Sequence, residues 1–513
     1  MAGIGFSLRK LFDKSGVLAL CRAYGYAGVI TIGPMLLGVL LLVGMAFISN
    51  IGGLDPHLRE LLNCMLTYTL LGSLTVTSWF NMGITRFVSD MLYQKKNEKI
   101  IPSFHGVCSI MLVIGGVGYG IFLAFSGANL IRCILCLWLL MILIIVWTEV
   151  IYLTAIKDYR QIVAAFAISL MAGFLLALIF ILLGLVYLET MLFSVIVAYG
   201  ILACWNYRLM LDYFPRAEGS NFSFLRWMDK YRKLVLGGGF LNIGLFSHLI
   251  IMYFGPLRVQ VEGLFYGAPQ YDVPALIAFF SVLVTTVGFV TSVEVRFYPM
   301  YSNYYGLFND RGAIGDIKHA GEEMLAVLRR ELTFVGHKQM FTTILFIVIM
   351  SALLQTLPLG MSSLAINIFR FLCVGYGAYA VANTNMLILL YFEDYMGAMT
   401  GCALFAIIST AGTIVQISVG EEGLFGLSFI AGAVVFYIFT ILRLEWYTKR
   451  LPYFLLSRQS VVPHPEKGLF AAIAGKLDRR AENIRAKREA ELIRLARREM
   501  EKQGMDPKGA LKS

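Results

Sequence analysis

The chain has 513 residues, 58% of them hydrophobic and only 15% charged, with a net charge of +11 and a mean hydropathy of +0.74. Soluble chains of this size carry nearer a quarter charged residues, so composition excludes a soluble enzyme and points to a polytopic membrane protein. The eight cysteines all fall in or beside apolar runs, which argues against a disulfide framework.

Residues 3–37 form a basic amphipathic entry that passes into an apolar run punctured by Gly25, Gly28, Gly33 and Pro34. No A-x-A-like processing site follows a short apolar stretch, so this first run is expected to be retained as a span. Twelve runs are long enough to cross about 30 Å of hydrocarbon. They lie near 25–49, 61–84, 104–125, 130–156, 162–184, 190–213, 234–254, 274–297, 339–358, 364–391, 398–419 and 425–442. In lipid every backbone amide must be satisfied within its own segment, so each is expected to be a helix and the fold all-α.

With a cytoplasmic N-terminus, 39 of the 43 Lys and Arg fall on the inner side. Only Arg59, Arg132, Arg258 and Arg370 fall outside. This asymmetry places both termini in the cytoplasm. Outer connections are short, the longest being 255–273, whereas 214–233 separates six spans from six. The expected organisation is a six-helix lobe at 1–213, a cytoplasmic linker at 214–233, a second six-helix lobe at 234–460 and a charged cytoplasmic tail at 461–513. Each lobe opens alike: Phe6, Ser7, Arg9, Asp13 and Lys14 precede the first span, and Phe222, Ser223, Arg226, Asp229 and Lys230 precede the seventh, which begins with Gly237, Gly238 and Gly239. Such Gly-interrupted helices at the head of two lobes are candidate walls of a transport path.

Between spans eight and nine, apolar residues recur at helical spacing over 313–335, with charged residues on the other faces. This amphipathic helix is expected along the cytoplasmic surface, either packed at the interface or docking a partner. The tail from 460 to 513 carries 13 Lys and Arg against 8 Asp and Glu, and reads as a solvated helix or a contact for anionic lipid or an acidic partner.

Ionisable residues inside spans are expensive, so Glu149, His248, Glu294 and Arg370 are candidate path residues. Arg86 and Arg296 sit near cytoplasmic ends, where snorkelling is cheap and a structural or interface role competes. A sugar cargo needs hydroxyl-directed hydrogen bonds and flat apolar faces; Tyr376, Tyr379, Asn383 and Asn385 supply both on one span, though membrane aromatics are commonly interface anchors. Cys133 and Cys136 lack a second pair or nearby histidines, and no P-loop occurs. Neither a metal, a cofactor, a catalytic constellation nor a nucleic-acid partner is therefore expected.

Several ordered motifs carry a resemblance. GIGFSLRKLF at 3–12, AYGYAG at 23–28, Thr85-Arg86-Phe87-Val88-Ser89-Asp90-Met91-Leu92-Tyr93 and Lys157-Asp158-Tyr159 are followed by Pro269-Gln270-Tyr271-Asp272-Val273-Pro274. Glu294, Phe297, Tyr301, Tyr304 and Tyr305 come next, then Leu390-Tyr391-Phe392-Glu393-Asp394. Over roughly 1–460 the chain resembles the PelG family, inner-membrane transporters of the Pel exopolysaccharide. The resemblance implies the multidrug, oligosaccharidyl-lipid and polysaccharide exporter superfamily, with twelve helices in two lobes and no enzymatic activity. It also implies an amino-sugar polymer as cargo, and as partners a cytoplasmic glycosyltransferase and small membrane subunits including a cyclic-di-GMP receptor. The chain departs from the family pattern at Ser247-His248, where an Asp-Lys pair is usual. Two other classes stay open: an ion-coupled small-molecule antiporter of the same fold, and a lipid-linked sugar polymerase or ligase. The last would need a larger outer loop than 255–273, which offers only Arg258, Glu262 and Asp272.

Overall fold

The computed structural model describes residues 28, 36, 38–153, 159–309, 312–356, 361–457, 468–480 and 483–484. The basic entry and most of the first half of the first apolar run lie outside the described residues, and α1 (Gly38–Ile51) is the described helix of that run. Helices α2 (Pro56–Tyr93), α3 (Ile100–Phe125), α4 (Leu130–Leu153), α5 (Tyr159–Leu182) and α6 (Leu188–Tyr213) complete the first half. The short α7 (Phe224–Lys230) leads into α8 (Arg232–Met252), and α9 (Pro269–Phe279) and α10 (Leu283–Phe289) follow. After them come α11 (Tyr298–Asn309), α12 (Ile314–Thr356), α13 (Ser363–Tyr391), α14 (Tyr395–Val419), α15 (Leu427–Thr448), α16 (Leu451–Ser457) and α17 (469–480). Among the described residues eleven helices are long and apolar enough to cross a membrane, α9 and α10 together making one of them. With α1 they account for all twelve apolar runs.

Helices α2, α13 and α14 begin where a short polar side chain takes an orphan backbone amide. Asp55 accepts the His57 N–H at 2.8 Å, with Pro56 at the first helical position. Ser362 accepts the Ala365 N–H at 3.1 Å ahead of α13. Apolar side chains of α1–α6 close one core, and those of α8, α9 and α13–α15 close a second. A third core gathers Phe297, Tyr304, Met324, Leu328, Leu389 and Tyr447 from helices at one end of the second half.

Three features differ from the sequence reading. The loop 255–273 contains an antiparallel hairpin, β1 (Val259–Glu262) with β2 (Phe265–Gly267), the one pair of strands among the described residues. The amphipathic stretch is continuous with the ninth span: α12 runs unbroken for 43 residues, about 1.5 Å per residue, roughly twice the length that hydrocarbon needs. Its apolar stripe is covered by α11, for Met324 and Leu328 pack with Tyr304.

Finally, α8 is an unbroken helix in which the glycines serve close approach rather than interruption. A Cβ on Gly239 would lie 2.3 Å from the Trp79 ring of α2, and one on Gly238 would lie 2.8 Å from the Ser78 carbonyl oxygen. The two halves therefore meet along α2 and α8 at backbone distance, the small-residue solution to helix packing in lipid. Gly239→Leu is expected to overpack this seam at a cost of about 1–3 kcal/mol, read as a fall of several degrees in the unfolding midpoint of the purified protein.

Candidate transport path between two lobes

The seam between the halves is tied at both ends. At one end the hairpin, which belongs to the second half, docks on the first. Tyr68 donates to the Tyr266 carbonyl at 3.0 Å, a His57 ring nitrogen lies 2.9 Å from the Val261 carbonyl oxygen, and the Leu264 N–H donates to Ser126 O at 2.9 Å. Arg132 spans Glu189 at 2.8 Å and Glu262 at 3.1 Å. Beneath the hairpin Tyr68 stacks on Phe122 and Tyr253 and meets Phe265 edge-on. At the hairpin turn Gly263 holds φ at +56°, and a Cβ there would lie 1.9 Å from Ser126 O, so only glycine permits both the turn and the contact.

At the other end Arg86 of α2 reaches Asp90 at 3.1 Å and Glu393, in the turn from α13 to α14, at 3.2 Å. The Asp90 carboxylate also accepts the Trp227 indole N–H at 2.8 Å, and Trp227 meets Phe87 edge-on. The Arg86 guanidinium lies over the Tyr231 ring, which in turn meets Tyr395. Next to Glu393, the buried Asp394 takes two hydrogen bonds from Arg443, at 2.6 and 3.0 Å, and caps α14. Tyr301 donates to the Tyr391 carbonyl at 3.0 Å beside this network. Burial pushes the Tyr301 hydroxyl up to about 12 and that of Tyr305 higher still, so both stay protonated donors at any physiological pH.

Of the residues singled out from sequence, the fold brings His248 and Tyr376 together. His248 is fully buried in the second lobe, one ring nitrogen 2.8 Å from the Tyr271 hydroxyl and the other 3.5 Å from that of Tyr376, with Phe429 packed on the ring at 4.4 Å. Tyr379, one turn further along α13, stacks on Phe405. Asn383 and Asn385 follow, and the Asn383 Oδ1 and Asn385 Nδ2 atoms are buried without hydrogen-bond partners.

Glu149 stands apart, inside the first lobe. It is 1% exposed, and among the described residues neither carboxylate oxygen makes a hydrogen bond of normal geometry, the Asn206 amide being the polar group set against it. Asn206, fully buried on the adjoining α6, likewise makes no hydrogen bond of normal geometry through its amide nitrogen or oxygen. Arg370 is exposed and bonded to Ser351 at 3.2 Å and Asn367 at 3.3 Å, away from these clusters. Arg296 pairs with the buried Glu331 at 3.1 Å. Glu294 lies in the π-helical segment Val290–Phe297, and its side chain falls outside the described residues.

Residues 1–455 match the family described as "PelG: Putative exopolysaccharide Exporter (EPS-E)". The chain belongs to the PelG family. No curated protein sequence matches it. Among solved structures it is similar to "MATE in the straight conformation", with TM-score 0.55 and 13% identity over 83% of this chain and 96% of that one. It is likewise similar to the "Vibrio cholerae MATE transporter VcmN in the bent form", with TM-score 0.54 and 14% identity over 84% and 99% of the two chains. A third, an outward-facing "multidrug resistance MATE family transporter of the MOP superfamily", gives TM-score 0.51 and 13% identity over 86% and 98%. The fold is thus the twelve-helix, two-lobe fold of these transporters, and the PelG chain is a multi-pass membrane transporter rather than an enzyme.

Three of the motifs that carry the PelG resemblance converge in space, while those at 3–12 and 23–28 and residues 157–158 lie outside the described residues, residue 28 excepted. Residues 85–93, the tyrosines of α11 and residues 390–394 meet at the Arg86 end of the seam. Tyr271 of the 269–274 motif is the partner of His248. Sequence reasoning left out Asp90, Glu393, Trp227 and Gly239 as seam residues and Asn206 as the neighbour of Glu149. The hairpin had a readable signal: Val259-Gln260-Val261-Glu262 alternates, and Gly263 precedes Phe265-Tyr266.

Proposed function

We propose that this PelG chain forms the inner-membrane passage for a Pel-like amino-sugar exopolysaccharide, working beside a cytoplasmic synthase, with the seam between the lobes as the path. The observation that carries the reading is the seam itself. It carries aromatic rings along its length, Trp79 against Phe240 and Tyr68 against Tyr253 and Phe265, and is tied at both ends by contacts that can separate, in a chain whose family is described as exopolysaccharide exporters. Aromatic faces and neutral hydrogen-bonding groups suit sugar rings, which offer hydroxyls and flat apolar surfaces. The Arg86 end faces the bacterial cytoplasm and the hairpin faces outward, in accord with the basic-residue asymmetry. Cysteines introduced at Gly53 and Gly267 are then expected to react with an impermeant external reagent, and cysteines at Gly219 and Gly312 to stay unreactive. External labelling at Gly219 sinks the orientation.

The buried Glu149 and Asn206 give the first lobe an ion-responsive element. A carboxyl group without an ion-pair partner in a dry interior calls for a proton or a small cation whenever it carries charge. Its occupancy can therefore bias how the lobe packs, and Glu149 serves transport rather than the fold.

The test of function is deletion of the gene with polymer followed in both compartments. Extracellular polymer is expected to vanish while cytoplasmic glycosyltransferase activity persists. Unchanged polymer together with altered drug or cation tolerance would overturn the reading in favour of a small-molecule antiporter.

A further inference from the structure

Beyond the family match, which ends at residue 455, the described part of the tail has a definite place. Helix α17 leaves the second lobe, whose last elements α15 and α16 supply Leu444, Tyr447 and Leu451 to the third core. It comes to rest on the first lobe and the linker. Ala474 is fully buried in the first-lobe core, with Phe470 and Leu477 packed beside it. The Ala471 N–H, in the first turn, donates to the Asp229 carboxylate of α7 at 2.6 Å, and Ser220 of the linker donates to Asp478. A carboxylate at a helix N-terminus meets unsatisfied amides and the positive end of the dipole, so the docking has both an apolar and an electrostatic component.

The receiving helix is already part of the seam. Two residues before Asp229, Trp227 bonds Asp90, which pairs with Arg86, which pairs with Glu393 of the second lobe. Contacts therefore run without a gap from α17 through α7 to the lobe-to-lobe ion pair.

We infer that α17 is a strap: it holds the Arg86 end of the seam closed, and this end opens when the strap leaves α7. The inference goes beyond the export reading, because it concerns how the lobes are held and is independent of what passes between them. Residues 458–467 join the strap to the second lobe, so undocking α17 releases the non-covalent hold of this end of the chain on the first lobe together with the support under Trp227. Movement of α7 then frees Asp90 and weakens the hold on Arg86.

The test uses the full chain in lipid nanodiscs, with Cys21 and Cys204 replaced by serine and spin labels at Lys96→Cys and Lys449→Cys, both exposed and on opposite lobes. Ala474→Asp places a charge in the buried contact, and trypsin cleavage after Arg479 and Arg480 reports whether the helix has been released. With release, a longer-distance population is expected to grow at least threefold over the unsubstituted protein. Should α17 stay protected from trypsin in that variant, truncation after Ser457 removes it outright and must give the same growth. An unchanged distance distribution with the helix released or removed overturns the proposal. Export measured in the same variants is a separate readout, so a failure of the polysaccharide reading leaves the strap intact.

Discussion

Glu149→Gln is expected to leave the protein in the membrane at normal abundance while export of polymer falls by an order of magnitude or more. The substitution keeps size and hydrogen-bonding capacity and removes only the ability to carry charge. In the structure the Asn206 amide is set against the Glu149 carboxyl group and no cation lies in an ion pair with it among the described residues, so the substitution keeps the amide contact and the fold loses no ion pair. Burying an unsatisfied polar group costs about 1–3 kcal/mol, and Glu149→Leu is therefore expected to hold or raise the unfolding midpoint while abolishing export. A collapse of abundance in Glu149→Gln would show instead that the carboxylate holds the lobe together. Asn206→Leu separates the roles further: if the amide positions the carboxyl group, it reduces export less than Glu149→Gln and shifts its dependence on external pH or sodium.

The second large effect is expected at the hairpin. Gly263→Val cannot keep φ at +56° without strain, and its side chain would collide with Ser126 O. The hairpin loses the Leu264 hydrogen bond and its seat on the turn between α3 and α4. A loss of about 1–3 kcal/mol from one docked state raises its undocked fraction by roughly five- to 150-fold, about thirtyfold in the middle of that range. Cys64 reports this directly: it is 8% exposed and its Sγ lies 3.3 Å from the Tyr266 carbonyl oxygen beneath the hairpin. An impermeant maleimide added outside is expected to label Cys64 in the variant at least tenfold faster than in the unsubstituted protein. Equal rates would mean that the hairpin does not seal the outer end.

What the sequence disclosed and what it withheld follow from the range of the forces involved. Twelve apolar runs become helices because lipid leaves the backbone no alternative, a constraint local enough to read from residue type alone. The continuity of α12 was hidden by Gly336, His337 and Lys338, which look like a break between an amphipathic segment and a span. A single helical glycine costs only about 1 kcal/mol against alanine, and the packing of α11 on the preceding turns more than compensates. Charged and aromatic residues within spans marked His248 and Tyr376, but the contacts around the His248 ring join α8 to the next helix, α9, and to α13, whose Tyr376 lies 128 residues further along the chain. Arg86 looked like a snorkelling residue, and its partner Glu393 lies on the other lobe, beyond the reach of any local pattern. Gly237-Gly238-Gly239 was conspicuous, yet its purpose depends on the Trp79 face of a different helix.

The simultaneous ties at the hairpin and at Arg86 bear on how a long cargo can be handled. A protein at rest with both ends shut is an insulator, which matters in a membrane where each elementary charge crossing 100 mV carries about 2.3 kcal/mol. A small solute can be passed by opening one end at a time. A chain longer than the roughly 30 Å hydrocarbon layer occupies both ends at once, so neither can close behind it. On the proposed reading the polymer itself would plug the passage during export, and the aromatic rings beneath the hairpin would become a gasket pressed against sugar instead of against one another.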